Sequence, residues 1–207
     1  DHDSIIEIAM IKFTDGKLGE SYTKTISPQV EVRDFILKLT GLDQKEIESS
    51  SPFSYHATEI EDFIGDLPLV AHNSRFDIHF LNKELRKAGR PGLDNPVIDS
   101  LLCSRIAWPM APNHKLETLV HFLELDVTTA HRALPDAIHC GEVFIRAQGT
   151  FASQPIEVQE AMAAMSEGTS LDSLFEGSSA RNKFDFKPHT NQLKTRPSPI
   201  EPSKQIT

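Results

Sequence analysis

Val70-Ala71-His72-Asn73-Ser74-Arg75-Phe76-Asp77 joins a short apolar run, Leu67–His72 (LPLVAH), to a helical pattern through a polar turn. The run reads as a strand. Beyond it Phe76, Phe80, Leu81, Leu85 and Ala88 recur at helical spacing, with Gly89 as the stop, so residues 76–88 read as an amphipathic helix. A strand that ends in a polar turn and enters a helix is where open α/β sheets place ligand and catalytic groups. Asp77 falls in the first turn of that helix. By itself it is better read as an acid complementing the helix dipole.

Upstream, Ser4–Phe13 (SIIEIAMIKF) is β-branched and apolar at nearly every position, the pattern of a strand buried on both faces. Asp15-Gly16 supplies a hairpin turn, and Leu18–Ile26 returns as a more polar strand. Helices are expected over 34–39, 43–48 and from Ser51-Pro52 to Gly65. Downstream, Val97–Asp99 reads as a further strand, followed by helices over 100–107, 116–123 and 135–148. Strand, strand, helices, strand, helix, strand, helices is a mixed α/β order with one hairpin and later parallel crossovers.

A second segment, His131-Arg132-Ala133-Leu134-Pro135-Asp136-Ala137, repeats the theme. Pro135 suits the first turn of a helix, which places Asp136 near a helix start and His131 in the loop before it. Again a capping aspartate and a structural histidine would account for the pair.

The remaining composition narrows the field. Of 207 residues, 39% are hydrophobic and 25% charged, as in ordinary globular domains, and the net charge is −9. That balance speaks against a protein that coats nucleic acid, but not against an enzyme whose acids hold metal ions. Cys103 and Cys140 have no CxxC partner and are expected as reduced thiols of a cytoplasmic protein. No apolar run approaches the length of a membrane span. Residues 1–150 are expected to form the main domain and 151–167 a terminal helix. Residues 168–207 are expected to be a flexible tail; from Arg181 onward it carries six basic residues, two acidic residues and four prolines.

Together the two segments resemble the second and third motifs of the DnaQ-like (DEDDh) 3′–5′ exonucleases, the family of polymerase proofreading subunits. The resemblance extends over about residues 3–148. It includes Ile5-Ile6-Glu7-Ile8, Leu39-Thr40-Gly41-Leu42 and Asn113-His114-Lys115-Leu116-Glu117-Thr118-Leu119. It implies a ribonuclease-H-like mixed sheet flanked by helices and a two-metal site for Mg²⁺ or Mn²⁺. In that site Asp136 would be a direct ligand, Asp77 would hold the second ion, and His131 would be the general base. His72, Asn73 and Phe76 would line the substrate pocket. The substrate would be a 3′ end of single-stranded DNA or RNA, in replication or repair, with a polymerase, helicase or other such protein as possible partner. The family's first motif, DxExT, should stand just ahead of the Ile5–Ile8 strand, whereas the sequence begins Asp1-His2-Asp3. The sheet is therefore expected without its first strand, and the chain as given is expected to be inactive. Neither Asp1, Asp3 nor Glu7 lies where those carboxylates belong. A non-catalytic nucleic-acid-binding or interaction module of the same fold is the competing reading.

Overall fold

The computed structural model describes residues 4–28, 30–126, 132–166 and 171. The tail expected over 168–207 lies, apart from Leu171, outside the described residues. β1 (Glu7–Thr14) and β2 (Lys17–Thr25) form an antiparallel hairpin. Asp15 and Gly16 both adopt positive φ, 52° and 72°, as a tight primed turn requires. The register slips between Ile11 and Phe13, a local irregularity of the kind a β-bulge produces. Three helices follow, α1 (Asp34–Thr40), α2 (Gln44–Ser49) and α3 (Phe53–Ile64). β3 (Leu69–Ala71) then leads through α4 (Ser74–Lys87) into β4 (Val97–Asp99), which pairs parallel to β3. A parallel pair needs such a crossover, because a tight turn can join only antiparallel neighbours. Four further helices follow, α5 (Ser100–Ala107), α6 (Leu116–Phe122), α7 (Ala133–Ala152) and α8 (Ile156–Ser166).

α3 buries Phe53, Ala57, Ile60 and Ile64 against Leu81 and Leu85 of α4, which welds the crossover helix to the hairpin side through Ile26. Fully burying one such aliphatic side chain contributes about 1.5–3 kcal/mol. A second cluster joins Ile98 and Cys103 to Ala147 and Phe151 of α7, and Leu171, beyond α8, is buried within it. No helix among the described residues is long and apolar enough to cross a membrane.

The two sheets do not pair with each other among the described residues. α7 lies across both of them. It approaches β1 so closely at Gly141 that an added Cβ would stand 2.1 Å from the Phe13 ring. Between the sheets lies a cavity of about 910 Å³, walled by Ile5, Ile8 and Met10 on one side and Leu69, Val70 and Ala71 on the other. The Ile26 N–H donates to the Ile6 carbonyl at 2.8 Å, so the alternate residues Glu7 and Ala9 turn their backbone groups away from β2. Likewise the Leu69 N–H donates to Pro96, which turns the Val70 groups away from β4.

This cavity explains a difference from the sequence reading. The β1 residues Glu7–Phe13 are half-buried rather than fully enclosed, because one edge of the strand borders open space. Helix boundaries also move. α4 begins at Ser74, two residues before the hydrophobic repeat starts, and α7 spans Ala133–Ala152 rather than 135–148.

Candidate active site

The turn after β3 is built around Asn73, which takes a left-handed conformation (φ 69°, ψ 52°). Asparagine tolerates that region better than most residues. The Asn73 side chain does not cap α4. Instead Asp99, at the end of the neighbouring strand, accepts the Asn73 N–H at 3.0 Å through Oδ1 and the Ser74 N–H at 3.2 Å through Oδ2. Its Oδ1 also accepts the Leu101 N–H at 2.9 Å, so one carboxylate caps α4 and α5 together.

His72 lines the cavity, but both its ring nitrogens are engaged within the protein. Nε2 donates to the His114 carbonyl at 2.8 Å, which leaves Nδ1 to accept from the Ser100 hydroxyl at 2.9 Å. The tautomer follows from the carbonyl, which can only accept. Burial lowers the His72 pKa, opposed by the His114 bond and the charge of Asp99, so the ring is a neutral structural pin. Phe76 lies outside this network. It is 61% exposed, and its ring packs on Phe80 with centroids 4.8 Å apart.

Asp77 stands in the first turn of α4 at the mouth of the cavity, open to solvent. Protein packed about its carboxyl raises its pKa and the negative charge of Asp99 adds to this, while its own backbone N–H acts in the opposite sense. Asp136, in the first turn of α7, is half-buried and lines the same cavity. The start of α7 has no side-chain cap from Arg132. Glu7 supplies one from β1: Oε2 accepts the Ala133 N–H at 3.0 Å, and Oε1 accepts Nε and Nη2 of Arg132 at 3.0 and 2.9 Å.

Cys140 shows how closely these acids converge. Its thiol is pushed up to about 12, first by burial and further by Asp77, Asp99 and Asp136, against its hydrogen bond with Ser100, which acts to lower it. A thiol so placed stays protonated and is no nucleophile. It packs at the floor of the acidic cleft.

Residues of the two sequence segments thus line one cavity. Asp77, Asp136, His72 and Phe76 all line it, and Asn73 shapes the entry turn. His131 lies outside the described residues, one position before Arg132. Among the described residues no group of three His, Cys, Asp or Glu side chains stands ready to hold a metal ion. Asp77 and Asp136 are hard oxygen donors of the type Mg²⁺ and Mn²⁺ prefer, but two carboxylates alone are a thin ligand set for two dications. His139, one turn beyond Asp136, is 4% exposed and bonds the Asp126 carbonyl through Nε2 at 3.1 Å, which fits packing rather than ligation. Sequence reading misses Asp99 and the role of Glu7. The only local signal is an acid at the end of one expected strand and one inside another.

A family model described as exonuclease (RNase_T) matches residues 1–144. A DNA polymerase III PolC-type protein of Caldanaerobacter subterraneus subsp. tengcongensis is 33% identical over 145 residues, 70% of this chain and 10% of that protein. The 3′-5′ exonuclease DinG of Bacillus subtilis is 36% identical over 143 residues, 69% of this chain and 15% of that protein. The chain therefore spans only about a tenth to a seventh of these relatives' length. Among solved structures, the nuclease domain of 3′hExo, a DEDDh family member bound to rAMP, superposes with a TM-score of 0.61 at 18% identity, covering 69% of this chain and 80% of that one. Exonuclease X in complex with 5′ overhanging duplex DNA gives 0.58 at 19%, covering 74% and 87%.

Proposed function

Because the chain belongs to the RNase_T exonuclease family, we propose that its cleft removes nucleotides from the 3′ end of single-stranded DNA or RNA once the gap between its sheets is filled. Its fold is the ribonuclease-H-like α/β fold of the solved exonucleases it resembles. The observation that carries the proposal is that Asp77 and Asp136, 59 residues apart in sequence, line one cavity. Both sit in first helical turns. Divalent ions bound there would steady the attacking and leaving oxygens of an in-line displacement. Asp136 and Asp77 would hold those ions, Asp77 through water.

His131 would accept the proton of the attacking water, a task that requires a neutral imidazole. The product is then a nucleoside 5′-monophosphate. Phe76 offers an exposed ring on which a terminal base can stack, with Asn73 beside it; His72, pinned on both nitrogens, offers only its ring carbons. The names of the relatives support a setting in replication or repair, and the PolC-type name supports a polymerase as partner.

The charge of two dications calls for more carboxylates than Asp77 and Asp136. The cavity has room for their carrier. It lies beside the edges of β1 and β3 whose Glu7, Ala9 and Val70 backbone groups are turned away from their own sheets, where a further strand can pair. The test is to place ahead of Asp1 a strand ending in DxE and to measure nucleotide release from a 3′-labelled oligonucleotide. The extended protein should digest it in Mg²⁺ or Mn²⁺ and stop on adding EDTA, while the 207-residue chain should do little. Robust EDTA-sensitive release by the shorter chain would overturn the need for the strand. An extended protein that binds the oligonucleotide without cutting it would favour a non-catalytic binding module.

A further inference from the structure

Two helix starts carry the cleft's carboxylates, and neither is capped by its own flanking side chain. α4, with Asp77, is capped from β4 by Asp99, 26 residues away from Asn73. α7, with Asp136, is capped from β1 by Glu7, which lies 126 residues from Ala133. In each case the capping acid belongs to a strand that packs beside the cavity, and it accepts backbone N–H groups of the first turn. We infer that Glu7 and Asp99 are paired positioning residues, each fixing one carboxylate-bearing helix start against its own sheet.

The chemistry favours this arrangement over a local cap. A side chain from within the turn would satisfy the free N–H groups equally well, but it would tie the helix only to itself. A cap from a strand ties the first turn to the sheet. The direction of the Asp77 or Asp136 carboxylate is then set by the same element that walls the cleft. The side chain of Glu7 is only 7% exposed and both its oxygens are used, one by the Arg132 guanidinium and one by Ala133. Glu7 is therefore committed to the clamp and does not itself serve as a free cleft carboxylate. Asp99 is committed in the same way, to three backbone donors. Neither residue would touch substrate, so their effect runs through Asp136 and Asp77. Their link to metal rests on the exonuclease reading; their link to helix geometry does not.

The experiment uses the isotope-labelled 207-residue chain and four variants, Glu7→Ala, Glu7→Gln, Asp99→Ala and Asp99→Asn. Amide exchange should accelerate at Ala133 and Asp136 by about tenfold or more in Glu7→Ala, while Asn73 and Ser74 stay within about twofold. Asp99→Ala should give the converse pattern. Gln and Asn keep a carbonyl acceptor and should restore part of the protection. Mn²⁺ alone, added as a paramagnetic probe, should broaden the Asp77 and Asp136 resonances of the unmodified chain. Each Ala variant should need more Mn²⁺ for the same broadening of both resonances, because a paramagnetic ion acts beyond the residues that hold it. A merely structural role would loosen both starts together, and that outcome, or no local change in either Ala variant, overturns the inference. If Mn²⁺ broadens neither resonance in the unmodified chain, the titration is repeated on the protein extended by the DxE strand, and no broadening there overturns the metal reading of the cleft. The exchange pattern then still decides whether the clamps exist.

Discussion

The starts of α4 and α7 face the same cleft and present the same residue, an aspartate in the first turn, yet they are held by different electrostatics. At α4 the clamp is an acid accepting only neutral backbone donors, and its uncompensated charge helps to raise the Asp77 pKa. At α7 the clamp is an acid matched by a guanidinium, with Arg132 bound through two nitrogens. One site is stabilised at the expense of its neighbour's ionisation; the other is neutralised where it stands. An identical sequence feature, helix-start Asp, therefore has a different physical character at each end of the cleft. The family motif gives no hint of that difference.

The largest expected effect belongs to the α7 side. In the strand-completed protein, His131→Ala should slow turnover by about 10²–10⁴-fold, the usual contribution of a positioned acid–base group. A parallel metal titration should move far less; equal losses in both would make His131 a ligand rather than the base. Next in size is an asymmetry within the Glu7–Arg132 pair. Arg132→Ala leaves a buried Glu7 carboxylate with one backbone donor and should cost about 3 kcal/mol in urea unfolding. Glu7→Ala leaves a guanidinium that is already 38% exposed, and should cost about 1 kcal/mol, the scale of a lost cap. The reverse order would mean that the clamp acts through the arginine's packing instead.

α7 has a second anchor that α4 lacks. Leu171 is 3% exposed and packs with Ala147 and Phe151. A chain ending at 171 should be about 2 kcal/mol more stable than one ending at 166, within the range for a buried aliphatic side chain. Equal stability of both truncations would show that Leu171 contributes nothing. The smallest effect returns to α4. The Asp77 pKa is raised by folding, so its contribution to stability is fully present below the ordinary carboxylate range and is lost as pH rises through the raised value. At neutral pH the charge is a net cost, reduced by the side chain's contact with solvent. Asp77→Asn should then raise the midpoint of thermal unfolding slightly at neutral pH, a gain that disappears in acid. A lower midpoint at neutral pH would break the contrast drawn between the two helix starts.

Much of the fold is legible in the residues alone. Hydrophobic spacing locates α4, Ser51-Pro52 and Pro135 mark the starts of α3 and α7, the Asp15-Gly16 turn locates the hairpin, and the two motifs locate Asp77 and Asp136 at helix starts. These are local properties, readable from residues within one or two turns. Helix starts shift by two residues where the cap comes from elsewhere: nothing near Ser74 announces that Asp99 will hold its N–H, so the hydrophobic repeat is the only guide.

What the sequence by itself determined is therefore the inventory: which elements form, in which order, and which acids stand at their ends. Only the tertiary structure decided how those acids are used. Glu7 reads as an acid inside a strand and Asp136 as an acid at a helix start; both line the cleft, and only the structure shows that Glu7 is bound there by Arg132 and Ala133. His72 reads as a pocket residue, and the structure engages both its nitrogens with Ser100 and His114. The physical reason is common to all three. A hydrogen bond or charge pair acts over a few ångströms of space, and its partner can lie anywhere along the chain, so spacing in sequence carries no record of it.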